Sequence, residues 1–257
     1  MPGSWDVRIS RESDSLVHRG GRRALVRVFA LALGRSIPEA PPSTLVKLSE
    51  SAHAIPGATH LQIATPAYYR SNGDRDAEVR DGLEPRAADG FWLYCTSIAP
   101  SSDAELAELR ERFAAEATTI IRAPSAFARE LGSGVALNIR PEELTPEPLG
   151  WLKRRLLPPD VSNVVHVHHG PVYYTDHAEE VLDAVPVTER ATLLPFMKRR
   201  SYSWQREYRF TVSVIGSPTE GTYRVPIGPS LRALAQPWQS SRPLSRSGHR
   251  EGSASAG

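Results

Sequence analysis

The segment Trp204-Gln205-Arg206-Glu207-Tyr208-Arg209-Phe210 alternates between two kinds of side chain. If it is extended, successive side chains point to opposite faces of a sheet. One face then carries three aromatic rings, as is typical of a core, and its residues are Trp204, Arg206, Tyr208 and Phe210. The opposite face carries Gln205, Glu207 and Arg209, a row of amide, carboxylate and guanidinium. The segment therefore predicts a strand whose polar face lies either on the surface or in a cleft.

Several other segments are predicted as strands from apolar or alternating patterns bounded by turn residues. The longest apolar and aromatic run covers residues 91–98, as expected of a central buried strand. The remaining predicted strands cover residues 44–48, 61–65, 134–139, 164–174, 208–214 and 222–227, the last two as a hairpin.

Helix signals are fewer. Ser102, followed by an acidic first turn, is typical of a helix start. Residues 124–131 predict a second helix that Gly132 would end. Further short helices are predicted at 152–157 and 178–182. Because strands outnumber helices and do not alternate with them, the predicted class is α+β, with a mixed, largely antiparallel sheet and a few short helices.

Composition predicts one globular domain with two polar flanks. The chain has 257 residues, of which 40% are hydrophobic and 23% charged, enough to bury a core without disulfides or metals. Residues 1–43 are rich in arginine, serine, glycine and proline and predict a flexible N-terminal extension, although the apolar run at 24–33 is also typical of a buried strand. Residues 237–257 contain almost no apolar side chains and predict a disordered tail. The domain itself spans residues 44–236.

Charge and cysteine content indicate a cytoplasmic protein. The net charge of +2 comes from 31 basic and 29 acidic residues spread along the chain, which does not favour a dedicated binder of nucleic-acid backbones. The single cysteine, Cys95, excludes an internal disulfide and suits a reducing compartment. The apolar run at 24–33 is far shorter than the ~20 residues of a membrane span, so no membrane association is expected.

Two further groups of residues offer chemistry. His166 and His168 share one face of a predicted strand, at a spacing that suits zinc, but no cysteine or glutamate stands at ligand spacing. We therefore expect no metal, and a metal-dependent nuclease remains an alternative. Cys95 lies within the apolar run at 91–98. A catalytic cysteine needs an exposed, electropositive position, so a small buried hydrophobic side chain is the favoured interpretation.

The chain resembles a bacterial family labelled domain of unknown function 2971. The matching segments are Leu45-Val46-Lys47-Leu48, Thr65-Pro66-Ala67-Tyr68-Tyr69-Arg70, Cys95-Thr96-Ser97, Lys198, Trp204 and Gln205-Arg206-Glu207-Tyr208-Arg209. The last segment, which corresponds to the family's E-x-E-W/Y-R motif, is the most specific. The chain departs from the family pattern in three places: Gln205 replaces the first glutamate, the asparagine–aspartate turn is absent, and no tryptophan-rich helix follows the central strand.

The order of these segments is also similar to that of mono-ADP-ribosyltransferases, which carry an early basic residue, a Ser-Thr-Ser-like strand and a Q/E-x-E strand. The resemblance implies an ADP-ribosyltransferase-like fold, NAD as the consumed substrate, and a toxin or defence effector that modifies an unidentified protein or nucleic acid. The family's basic residue is arginine or histidine, whereas this chain has Lys47.

The resemblance also implies roles for individual residues. The catalytic set is Glu207, Gln205 and Ser97, and the NAD-binding set is Lys47, Thr96 and Arg209. Glu207 would stabilise the positive charge that develops on the ribose, as in glycoside cleavage, and Gln205 would orient the acceptor. Ser97 would fix the carboxylate, and Lys47 would meet the pyrophosphate of NAD.

Two hypotheses from different classes follow. The first is a NAD-consuming ADP-ribosyltransferase-like enzyme. The second is a non-catalytic binding or regulatory protein on the same α+β scaffold, in which Glu207 and Arg209 form an ion pair on a solvated strand face. The position of Glu207, in a cleft with Ser97 or in bulk water, distinguishes the two.

Overall fold

A computed structural model describes residues 5–34, 42–71, 90–145, 161–219 and 221–238. The strands are β1 (Asp6–Arg19), β2 (Arg22–Gly34), β3 (Thr44–Ser49), β4 (His60–Ala64), β5 (Trp92–Ile98), β6 (Ala117–Arg122), β7 (Leu144–Thr145), β8 (Asn163–Pro171), β9 (Tyr173–Tyr174), β10 (Met197–Lys198), β11 (Glu207–Val214), β12 (Ser217–Pro218), β13 (Thr222–Pro226) and β14 (Ala235–Pro237). The α-helices are α1 (Pro66–Ser71), α2 (Asp103–Arg112), α3 (Pro124–Asn138), α4 (Ala178–Asp183), α5 (Val187–Leu193) and α6 (Pro229–Ala233). Short 3₁₀ helices cover Ser51–His53, Pro141–Glu143, Leu194–Phe196 and Arg200–Gln205.

Most strands join one large sheet. Its order is β1-β2-β8-β11-β5-β3-β6-β14, and β4 branches from β5 to pair with β13. The β2–β8 pair is parallel, whereas the other pairs in this sheet are antiparallel. The predicted α+β class, with its mixed and largely antiparallel sheet, is confirmed. No described helix is long and apolar enough to cross a membrane.

Helix α3 packs on one face of this sheet, across β2 and β8. Phe127 and Leu131 are fully buried in the apolar core there, and burial of each side chain contributes about 1.5–3 kcal/mol. Gly132 permits the close approach of helix and sheet, because a Cβ at this position would lie 2.7 Å from side-chain carbons of Val26 and Val167. The glycine therefore lies inside the helix, and the prediction that it ends the helix is wrong.

The N-terminal part of the chain belongs to the sheet. Residues 6–34 form the β1–β2 hairpin, and β2 pairs with β8. Ala24, Val26 and Val28 are fully buried in the core beneath α3. The prediction of a flexible extension over residues 1–43 is therefore wrong for the hairpin, and residue 43 is not a domain boundary. The alternative interpretation of residues 24–33, a buried strand, is confirmed.

Two other predictions of local structure need correction. Residues 134–139 lie mostly in α3 and not in a strand, because a short apolar run suits a buried strand and a buried helix equally. The strands predicted at 208–214 and 222–227 exist but do not form a hairpin, since β11 pairs with β5 and β8 while β13 pairs with β4. Residues 152–157 and 239–257 lie outside the described residues.

Candidate functional site

A cavity of about 380 Å³ opens where β3, β5 and β11 lie side by side. All six residues predicted for the site line it: Lys47, Thr96, Ser97, Gln205, Glu207 and Arg209. Thr96, however, pairs with Tyr208 on the face opposite to Ser97 and Glu207, and its hydroxyl donates to the Tyr208 backbone carbonyl at 2.9 Å. Further lining residues include Tyr69, Cys95, Arg112, Phe113 and Lys198. We call this space the site cavity.

The register of β5 and β11 determines which side chains face the site cavity. Glu207 lies directly opposite Ser97, and Arg209 lies opposite Cys95. Tyr208 and the other alternate residues of β11 point to the opposite face, where they are buried in the core beneath α3. The period-two alternation predicted for this strand is therefore observed from Glu207 onward.

The residues before Glu207 are not extended. Arg200–Gln205 forms a 3₁₀ helix, and Arg206 follows it with a left-handed φ of 47°. Trp204 consequently leaves the core face and is only half-buried, so its predicted place beside Tyr208 is wrong. Gln205 is nevertheless buried and reaches the site cavity, because the turn at Arg206 carries it there.

Glu207 and Arg209 form a buried ion pair. Arg209 donates from Nε to Glu207 Oε1 at 2.6 Å and from Nη2 to Oε2 at 3.1 Å. Lys198 Nζ lies 2.8 Å from Glu207 Oε2. Glu207 is 6% exposed and Arg209 only 1%, so the pair does not decorate a solvated strand face.

These charges decide the protonation of Glu207. Burial by itself raises the pKa of the carboxyl group, but the charges of Arg209 and Lys198 outweigh it and hold the pKa at about 2. The carboxylate is therefore ionised at neutral pH. The guanidinium of Arg209 is likewise charged, because Glu207 raises its pKa despite the opposing effect of burial.

Neighbouring groups fix this ion cluster in place. Lys198 Nζ donates to Gln205 Oε1 at 2.6 Å, so one ammonium bridges the amide and the carboxylate. The backbone N–H of Glu207 donates to the hydroxyl of Tyr174 at 2.7 Å. Arg209 also donates to the carbonyl of Pro195. Each polar group of the cluster thus has a partner, as buried charges require.

Cys95 lies on the polar face of β5, beside Glu207. Burial, together with the negative charge of Glu207, raises the pKa of its thiol to about 12. The thiol is therefore protonated at neutral pH, which suits a structural side chain better than a nucleophile.

Lys47 lies where β5 changes partner. Leu93 of β5 pairs with β4, whereas Ser97 pairs with β3. Between these pairings, Lys47 Nζ donates to the backbone carbonyl of Cys95 at 2.9 Å and lies 5.1 Å from the ring centroid of Tyr94. The branch in the sheet thus brings a cation to the wall of the site cavity.

Positive charge dominates the described lining of the site cavity. Its cations are Lys47, Arg112, Lys198 and Arg209, and its carboxylate is Glu207. Arg112 has a partner outside the lining, since its Nη2 lies 2.6 Å from Glu108 Oε1. The cavity therefore suits a ligand that carries negative charge, because such a ligand offsets the excess of cations.

The histidines at positions 166, 168 and 169 lie in β8 and do not line the site cavity. His166 and His168 share a face, as predicted, and Phe29 stacks on His168 with 4.8 Å between the ring centroids. His169 points the other way and is buried, within 2.7 Å of the Tyr208 hydroxyl and 2.8 Å of Glu12 Oε2. Within the described ranges, no group of three or more histidine, cysteine, aspartate or glutamate side chains is placed to hold a metal ion.

No protein-family model matches the chain, and no curated protein or solved structure matches it. The resemblance to domain of unknown function 2971 and to mono-ADP-ribosyltransferases therefore stays a prediction.

The sequence does not predict the whole site. Its patterns place neither Tyr174 nor the Arg112–Phe113 pair there, and Lys198 enters only as a position of the family resemblance, without a role. No spacing in the sequence connects these residues with β11. The basic run at Lys198-Arg199-Arg200 was the available signal for Lys198, and it does not show which of its three cations is buried.

Proposed function

We propose that this protein binds NAD in the site cavity and cleaves the bond between nicotinamide and ribose, as an ADP-ribosyltransferase-like effector of the toxin or defence type. One observation carries the proposal. An ionised Glu207, the serine opposite it and the basic Lys47 line one cavity from three neighbouring strands, β11, β5 and β3. Along the chain the basic residue comes first, the serine strand second and the strand of Glu207 last, which is the order of elements that the resemblance implies for such enzymes.

The reaction places one demand on the site. When the bond breaks, nicotinamide leaves with the bonding electron pair and the ribose carbon gains positive charge. Glu207 supplies a fixed negative charge, and Arg209 with Lys198 holds it in position before the substrate arrives. The acceptor then bonds to the ribose carbon and releases its proton to solvent. We propose a protein or nucleic acid as this acceptor and the cytoplasm as the location.

The second candidate is a non-catalytic binding or regulatory protein. It is favoured because protein groups already occupy most of the hydrogen-bond acceptor positions of the Glu207 carboxylate. A carboxylate offers about four lone-pair positions. Arg209 occupies two of them and Lys198 a third, while the thiol of Cys95 lies within hydrogen-bonding reach. In this alternative, Glu207 is a buried counter-ion and the remaining cations of the site cavity hold an anionic ligand without breaking a bond.

One experiment separates the two candidates. Purified wild-type protein is incubated with NAD, and both NAD binding and free nicotinamide are measured, with and without a cell extract that supplies acceptors. Release of nicotinamide supports the enzyme, whereas binding of NAD without release supports the binding protein. Wild-type protein that neither binds NAD nor releases nicotinamide would contradict the enzyme and would limit the binding protein to anionic ligands other than NAD.

A further inference from the structure

The C-terminal end of α2 presents an aromatic ring and a guanidinium to the site cavity. Phe113 lines the cavity and is 39% exposed. Among the large apolar side chains of the described residues, only Leu16 and Val187 are more exposed, and neither lines this cavity. Arg112 precedes Phe113 and also lines the cavity. We call this pair the ring wall.

Contacts with the segment before β11 hold the ring wall in place. Phe113 packs on Trp204 with 5.1 Å between the ring centroids, and the guanidinium carbon of Arg112 lies 5.2 Å from the same indole ring. Two turns earlier in α2, Glu105 Oε2 accepts from Arg206 Nη1 at 3.1 Å. Since Arg206 directly precedes Glu207, these contacts fix the ring wall relative to the carboxylate.

We propose that the ring wall is the adenine subsite for NAD, an inference that rests on the proposed function. Bases stack on aromatic side chains and on guanidinium planes. Phe113 offers an exposed aromatic ring, and Arg112 adds a guanidinium next to it. The pyrophosphate that follows the adenosine is anionic and meets the cations of the site cavity, Arg112 and Lys47 among them.

The position of Glu207 decides which end of NAD this wall accepts. In the proposed reaction, Glu207 stabilises the positive charge that develops on the ribose next to nicotinamide, so the bond that breaks lies beside β11. The ring wall lies on a different element, α2, and its stacking surface suits the neutral adenine base. The nicotinamide end therefore lies at β11 and the adenine end at α2.

Binding of fragments of NAD tests this assignment without any turnover. Calorimetric titration of ADP, pyrophosphate and nicotinamide mononucleotide is carried out on wild-type protein, Phe113→Leu and Phe113→Tyr. Val187→Ala serves as the control, because it shortens an exposed apolar side chain outside the cavity. We expect Phe113→Leu to raise the Kd for ADP by about 5- to 150-fold, the effect of losing one stacked base. Phe113→Tyr keeps wild-type affinity for ADP, and Phe113→Leu keeps wild-type affinity for the two ligands without adenine.

Three results would overturn the assignment: wild-type protein that does not bind ADP, equal ADP affinity in wild type and Phe113→Leu, or equal weakening of pyrophosphate and ADP in Phe113→Leu. The proposed function fails separately. If ADP shows the expected pattern but NAD is never cleaved, the adenine subsite stands and the enzyme does not. If NAD is cleaved and Phe113→Leu binds ADP normally, the enzyme stands and the subsite does not.

Discussion

Arg209 holds Glu207 through two hydrogen bonds, 2.6 Å and 3.1 Å long, between neighbouring side chains on one face of β11. Lys198 approaches the same carboxylate from outside the strand. Two buried cations thus share one anion. Removing that anion leaves both charges uncompensated, whereas removing one cation still leaves a pair.

Glu207→Gln should therefore destabilise the fold strongly. Breaking a buried ion pair at one partner typically costs about 3–5 kcal/mol, because the other charge remains buried. Urea denaturation measures the loss. Glu180→Gln, at an exposed position of α4, is the matched control and should stay within about 0.5 kcal/mol of wild type. Equal stability of wild type and Glu207→Gln would contradict the buried ion cluster.

A double variant sharpens this prediction. Lys198→Met removes one of the two cations that share Glu207, so it should offset part of the cost of Glu207→Gln. In a double-mutant cycle, the combined loss is then smaller than the sum of the two single losses. Additive losses would show that Lys198 and Glu207 do not interact in solution.

Stability should fall in acid because of the same carboxylate. The pKa of Glu207 is about 2 in the folded state against 4.5 for the unperturbed group. A lowered folded-state pKa contributes stability above pH 4.5, and this contribution is lost as the pH falls toward 2. Urea denaturation of wild type at pH 7, 4 and 2.5 should show the decline. Glu207→Gln should show a smaller decline in the free energy of unfolding over this pH range. An equal decline in both proteins would mean that other carboxylates cause the loss of stability.

Ser97→Ala tests the proposed enzyme without disturbing the ion cluster. Ser97 lies opposite Glu207. The resemblance implies that its hydroxyl fixes the carboxylate during the reaction, and losing one such hydrogen bond to a charged group, about 1.5 kcal/mol, should lower the rate of nicotinamide release about tenfold. Ser213→Ala is the matched control, since it changes a serine of β11 outside the site cavity. A wild-type rate in Ser97→Ala would remove the serine from the catalytic set.

Leu31→Ala tests the place of the N-terminal hairpin in the fold. Leu31 of β2 is buried against α4, α5 and Phe196, so truncation should cost about 2–5 kcal/mol. Leu16→Ala, in β1 of the same hairpin, is the control, because Leu16 is 41% exposed and should lose less than about 0.5 kcal/mol. Thermal denaturation compares the two. Equal melting temperatures of Leu31→Ala and Leu16→Ala would show that residues 6–34 are a flexible extension and not part of the folded sheet.

The sequence predicts four inner strands of the large sheet, β3, β5, β8 and β11, because each carries a regular pattern of its own, but it misses the inner strand β6. The alternation in β11 correctly separates Glu207 and Arg209 from the core. The alternation fails at Trp204, because the chain turns at Arg206 with a left-handed backbone conformation. Arginine rarely adopts this conformation, so the sequence does not predict the turn. Prediction from the sequence also fails at β1. This edge strand is rich in polar and charged residues, as loops are, so its composition does not indicate a strand.

The candidate site was predictable only where neighbouring strands supply it. Ser97 and Lys47 join Glu207 because β5 lies between β3 and β11. The resemblance implied that the serine strand is next to the strand of Glu207, but it did not give the position of β3. Lys198 and Tyr174 come from strands of two residues, and Arg112 lies at the end of α2. The positions of all three relative to β11 depend on tertiary packing. Local patterns contain no information about such packing, so these partners appear only in the folded structure.

The parallel pairing of β2 with β8 has a consequence for synthesis on the ribosome. Ser162, next to the start of β8, donates to the carbonyl of Arg23, 139 positions earlier in the chain. The apolar strand that follows Arg23 leaves the exit tunnel long before its partner exists. Until β8 emerges, one edge of the nascent hairpin is open to other chains, which makes this region the natural place for a chaperone to act.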